Sequence, residues 1–180
     1  MAAPDHLDAA DSEWDTAEEV KVTLSGRTAS ASGSTVKVDG STITIGAPGT
    51  YLLPGRLDDG QVVVDSPADG IVRLVLDGAD ITSSTTSAIT VMKADEAMVV
   101  LADGSTNRLV DAARYVFPSA DVDEPNAAPY SAADLTIAGK GSLTVDGNFN
   151  DAIASQDGLV LSDGTLTLDA VDDGVRGKDS

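Results

Sequence analysis

The chain has 180 residues, enough for one domain with a continuous core, and sets 30 acidic against 11 basic residues for a net charge of −19. Such a field repels nucleic-acid phosphates and anionic lipid headgroups and concentrates cations, so nucleic acid and membrane insertion are excluded and a divalent metal is favoured as partner. The absence of Cys excludes disulfides, thiolate metal sites and cysteine nucleophiles, and no apolar run reaches the ~18 residues of a membrane span.

Residues 1–19 read as an acidic N-terminal tail with one Trp14 and a lone His6, without a basic-then-apolar signal segment. From Val20 the pattern alternates with period two: Val20, Val22 and Leu24; Val36 and Val38; Ile43 and Ile45; Tyr51 and Leu53. Half-buried strands are predicted, separated by turns at Asp39-Gly40, Asp59-Gly60, Asp77-Gly78, Asp103-Gly104, Asp146-Gly147 and Asp163-Gly164. No apolar face persists at helical spacing over three turns, so the chain is predicted all-β. With 3% aromatic residues, its core must be Val, Leu, Ile and Ala.

Self-similarity sharpens this reading. Asn150-Asp151-Ala152-Ile153 through Asp157 recurs 22 residues later as Asp172-Asp173-Gly174-Val175 through Asp179. Leu135-Thr136-Ile137 and Leu143-Thr144-Val145 return as Leu159-Val160-Leu161 and Leu166-Thr167-Leu168 at offsets of 24 and 23, and Leu74-Val75-Leu76 as Val99-Val100-Leu101 at 25. Ser87-Ala88-Ile89 is a degenerate copy of the Asp-Ala-Ile corner. These periods predict a right-handed parallel β-helix, a solenoid with coils of about 22–25 residues over 20–180, interrupted by a long inserted loop between Asp103 and Ala133. The last repeat ends at the C-terminus without a cap, so further coils are expected beyond Ser180.

A 22-residue period stacks Asp151 under Asp173, Asn150 under Asp172 and Asp157 under Asp179. Carboxylates so close repel, and a hard cation taking six to eight oxygens relieves the repulsion, which makes Ca²⁺ the predicted cofactor. Asp146 and Asn148 are further oxygen donors, and the alternative for all of them is Asx-turn formation. Asp121 to Asn126 lacks the Gly and distal Glu of an EF-hand but offers oxygens from the insertion, and Gly139-Lys140-Gly141-Ser142 is a turn and no phosphate loop. Arg176 and Lys178 flank the second Asp row, and Tyr130 and Phe149, with Tyr115 and Phe117, offer a small sugar-stacking surface.

Gly49-Thr50-Tyr51-Leu52-Leu53-Pro54-Gly55-Arg56-Leu57-Asp58-Asp59-Gly60, Leu74-Val75-Leu76-Asp77-Gly78-Ala79-Asp80-Ile81, Asp123-Glu124-Pro125-Asn126 and Asp172-Asp173-Gly174-Val175-Arg176-Gly177-Lys178-Asp179 together resemble a bacterial family of extracellular carbohydrate-binding β-helix proteins. The resemblance covers nearly everything after about Asp15. It implies a pectate-lyase-like fold, bound calcium, adhesion to polygalacturonate and to cellulose without catalysis, and a secreted or cell-surface location. Ala152, where the family has Gly, and Arg176, where it has Lys, depart from the pattern. Two rival readings share the calcium: a polysaccharide lyase, with Arg176, Lys178 or Lys140 as base, and a structural surface adhesin repeat.

Overall fold

The computed structural model describes residues 16–117, 119–122 and 124–179, the side chains of 178 and 179 excepted. Trp14, His6 and all but the end of the predicted tail, together with Asp123 and the side chains of Lys178 and Asp179, lie outside the described residues. After a 3₁₀ turn at Thr16–Glu18 come β1 (Val20–Gly26), β2 (Thr28–Ala31), β3 (Val36–Asp39), β4 (Thr42–Ile45) and β5 (Gly49–Leu57). Next are β6 (Gln61–Asp65), β7 (Ile71–Thr82), β8 (Ile89–Lys93), β9 (Glu96–Leu101) and β10 (Thr106–Val110). The remaining strands are β11 (Pro129–Ser131), β12 (Asp134–Gly139), β13 (Ser142–Gly147), β14 (Ile153–Leu161), β15 (Thr165–Ala170) and β16 (Val175–Asp179).

All sixteen belong to one sheet, whose main path runs β15-β13-β10-β7-β9-β12-β14-β11-β8-β6-β4-β3. The predicted right-handed parallel β-helix is corrected here: the twelve-strand path forms a nearly closed, barrel-like sheet of mixed direction. The pairs β1/β2 and β3/β4 are antiparallel. Their reversals sit at Gly26 and Gly40, with φ of 72° and 59°, values a glycine adopts without the clash a Cβ would bring. Period-two alternation is the same in a hairpin arm and in a parallel strand, so the sequence pattern did not separate them.

The repeat offsets reappear as pairing registers between parallel neighbours. Leu135 partners Leu159, Leu143 partners Leu166, Leu74 partners Val99 and Ile153 partners Val175. Stacking in register brings apolar side chains over apolar side chains: Ile43, Ile45, Val62, Val64, Leu74, Leu76, Ile89, Val99, Leu101, Ile137 and Val145 are all at most 1% exposed in one cluster. Each such aliphatic contributes about 1.5–3 kcal/mol relative to exposure, and no single strand could bury it alone.

The insertion is shorter than its sequence suggests. β10 pairs in parallel with both β7 and β13, which leaves 111–128 as the excursion. Asn107 hides this strand from a hydropathy reading. It is 1% exposed because its Oδ1 accepts the backbone N–H of Gly78 and Ala79, while Leu109 fills the core.

Candidate functional site

The corner between β13 and β14 sits under the corner between β15 and β16. Ala152 N–H donates to Asp173 O (2.9 Å), Ile153 N–H to Gly174 O (3.1 Å) and Asp172 N–H to Asn150 O (2.9 Å). One corner earlier, Ala127 bridges Asp151, whose N–H donates to Asn126 O at 3.2 Å. These bonds fix the backbone, so side-chain position follows from register. Asp151, Asp172 and Asp173 each present a carboxylate oxygen within 4.8 Å of the other two.

Asp151 carries the unusual burden. It is 0% exposed, and its Oδ1 accepts the Asp173 N–H at 3.2 Å while Oδ2 has no hydrogen-bond donor. Among the described residues, the cation facing it is the Arg176 guanidinium, 3.8 Å from Oδ2, beyond hydrogen-bonding reach. Burial raises the Asp151 pKa; the Asp173 amide and Arg176 oppose the rise, and Asp173 and Asp172 add to it. A second orphan oxygen lies in the same corner column, since Asn126 Oδ1 is also buried without a partner. An incompletely satisfied buried carboxylate beside two more carboxylates fits a hard, oxygen-seeking cation, whose ligands would be Asp151, Asp172 and Asp173.

The equivalent earlier corner is closed differently. Ser87, fully buried, donates its hydroxyl toward Ile89 O and Ala128 O, so a neutral group satisfies there what a charge leaves unsatisfied at Asp151.

Of the other predicted oxygen donors, Asn150 contributes its backbone carbonyl to the corner. Asp157 does not stack on Asp179: a register shift between Ser155 and Gly158 makes Gly158 the partner of Asp179. The bulge turns Asp157 outward, its N–H bonded to Ser155 Oγ at 3.2 Å. Asp146 is held by Arg108 at 2.5 Å, and Asn148 donates through Nδ2 to Asp111 O. Asp121 is exposed and outside the cluster.

The aromatic residues divide. Tyr115 stacks on Phe149 with centroids 4.3 Å apart, and Phe117 lies 5.9 Å from both. This trio pins the 111–128 excursion to the sheet, because Tyr115 is buried and donates its hydroxyl to Asp111 Oδ2 and lies 3.1 Å from Ala127 O. Tyr130 stands apart on β11, its hydroxyl donating to Glu124 Oε2 at 2.5 Å. Arg176 is exposed and lines a cavity of about 250 Å³ with Asn126, Ser155 and Gln156, directly beside the Asp cluster.

Asp111 was missed by sequence reasoning. It is 2% exposed, accepts Tyr115 O–H and the Asn148 N–H, and its pKa is raised by burial against those bonds. It follows β10 without a repeat partner of its own type, so no stacked signal marked it.

A family described as "Carbohydrate-binding domain-containing protein" matches residues 39–180. The chain belongs to this family. A carbohydrate-binding domain-containing protein of Acetivibrio thermocellus is 40% identical to this carbohydrate-binding domain over 123 residues, 68% of this chain and 43% of that protein. The solved structure of a polysaccharide lyase-like protein from C. thermocellum, in a gadolinium derivative, matches with a TM-score of 0.79 at 34% identity, over 82% of this chain and 60% of that one. This carbohydrate-binding domain therefore spans less than two thirds of either relative. The Asp cluster, Arg176 and Tyr130 all fall within the residues matched to the family.

Proposed function

We propose that this carbohydrate-binding domain holds acidic polysaccharide, polygalacturonate in particular, outside the cell without cleaving it, through calcium at Asp151, Asp172 and Asp173. The observation that carries the reading is Asp151 Oδ2, a fully buried carboxylate oxygen without a hydrogen bond, with two further carboxylates within 4.8 Å. Calcium, when bound, would accept six to eight oxygens, offset two of the three carboxylate charges, with Arg176 beside the third, and leave coordination for a uronate carboxylate.

The protein's own residues account for the rest. A chain of net charge −19 repels a polyanion at long range, so attraction must be local and short. Arg176 supplies it beside the cluster: its guanidinium is exposed and free to swing from a 3.8 Å contact with Asp151 toward a uronate. Asn126, Ser155 and Gln156 line the adjoining cavity with amide and hydroxyl groups suited to sugar hydroxyls. Non-catalytic binding is favoured because Arg176, the described cation in contact with the cluster, offers a guanidinium, a fork of N–H donors suited to holding an anion and not to abstracting a proton.

The test is co-sedimentation with insoluble polygalacturonate in millimolar calcium and in chelator, with ultraviolet absorbance of the supernatant followed over hours. Retention in calcium, release in chelator and flat absorbance are expected. Steady accumulation of unsaturated uronate product, abolished by Arg176→Ala, would establish the lyase reading instead.

A further inference from the structure

We propose a second, metal-independent sugar subsite, which takes an uncharged pyranose ring, in the groove above Thr90 and Tyr130. The groove has a volume of about 320 Å³ and is bounded by Val63, Met92, Glu124 and Pro125. Register builds its floor. Val63, Thr90, Tyr130 and Ala154 are successive partners across β6, β8, β11 and β14, and Arg176 continues the same row on β16. The alternate residues Val62, Val64, Ile89, Val91 and Ile153 point into the main core, so this row faces outward.

Two observations point to a ligand. Thr90 is 6% exposed, lines the groove, and its Oγ1 is buried without any hydrogen-bond partner. A hydroxyl left in that state is costly unless something supplies a partner. Met92, next on the outward face, is 61% exposed, an unusual position for a large apolar side chain beside a concave surface. Apolar Val63, Met92 and Pro125 against a few fixed polar groups is the pattern of a sugar site, where C–H faces pack and hydroxyls bond.

Charge selects the kind of sugar. Among the described residues, Glu124 is the one charged residue lining the groove, and both its oxygens are preset, by Tyr130 O–H and by Gln156 Nε2. An anionic ring would meet that carboxylate with no cation among the described lining residues to offset it, whereas a neutral ring can donate hydroxyls to it. Gln156 also lines the cavity beside Arg176, so Glu124 and Gln156 join the neutral groove to the calcium-dependent end. A polysaccharide laid across the strands would then present neutral units at Thr90 and uronate units at Arg176.

The experiment is calorimetric titration of the whole chain, in chelator, with a neutral β-glucan hexasaccharide and separately with hexagalacturonate. Wild type should bind the neutral probe and not the acidic one. Thr90→Val should weaken neutral binding about tenfold, the loss of one well-made hydrogen bond. Its melting temperature should stay level or rise, because the hydroxyl removed had no partner in the free protein. Glu124→Ala should weaken binding as well, and Asp151→Asn should leave it unchanged while abolishing calcium-dependent retention on polygalacturonate, which separates this subsite from the metal reading. No neutral binding by wild type in chelator, or equal binding by a folded Thr90→Val, would overturn the proposal.

Discussion

Replacing Asp151 by Asn should have opposite effects on stability with and without calcium. In chelator, the wild-type carboxylate is fully buried, accepts one bond from Asp173 N–H, leaves Oδ2 unbonded and has Asp172 and Asp173 within 4.8 Å. Asn keeps an oxygen for the Asp173 amide and turns a donor toward the other two carboxylates. Removing one incompletely satisfied buried charge is worth about 1–3 kcal/mol, against which the lost 3.8 Å contact with exposed Arg176 counts for little. For a chain of this size each kcal/mol moves Tm by roughly 2–4 °C, so Asp151→Asn should melt several degrees higher than wild type in chelator. With free calcium at about one thousand times Kd, wild type gains about 4.1 kcal/mol from preferential binding to the folded state, more than the variant's advantage in chelator, and the variant gains little of it. The order of the two melting temperatures should therefore invert between chelator and calcium. Differential scanning calorimetry of both proteins in both buffers is the assay. A variant that melts lower in chelator and keeps the full calcium shift would refute the argument, since Asp151 would then be a satisfied turn residue.

Asp111 provides a pH test away from the cluster. Its pKa is raised in the folded state, so the folded protein binds the proton more tightly; the stability this brings is complete below the ordinary carboxylate value and lost as pH rises through the raised one. The Tm of wild type relative to Asp111→Asn should rise as pH falls from 7 toward 4, and a gap that moves the other way contradicts the assignment. Gly139→Ala should unfold the protein or cost at least about 3 kcal/mol in urea denaturation, because Gly139 has φ of 95° and an added Cβ would lie 2.2 Å from Leu101 O. Leu74→Ala, in the middle of the apolar stack, should cost about 2–5 kcal/mol with an unchanged fold by circular dichroism.

Much of the strand content was legible because register and repeat are the same thing in stacked parallel strands. Leu135 over Leu159 and Asp151 over Asp173 are visible as spacings before they are contacts. What the sequence concealed is instructive. The hairpins at Gly26 and Gly40 carry the same alternation as parallel strands, so the mixed direction of the sheet left no trace. Asn107 looks like loop chemistry and is a core residue, because its amide caps two backbone N–H groups one strand below. The bulge between Ser155 and Gly158 shifts one residue and so separates Asp157 from Asp179, which no spacing argument foresees. At the site, the pairing of Asp151 with Asp173 followed from the repeat, whereas the orphan state of Asp151 Oδ2 and Thr90 Oγ1 depends on what the neighbouring chain fails to offer.

Calcium binding by Asp151, Asp172 and Asp173 is the requirement on which the proposed adhesion rests. Isothermal titration of calcium into the metal-stripped chain, compared with Asp151→Asn combined with Asp173→Asn, measures it. A saturable site is expected in wild type, weakened at least tenfold in the double variant because neutral amides hold Ca²⁺ less strongly than carboxylates. Equal calcium isotherms for the two folded proteins would contradict it.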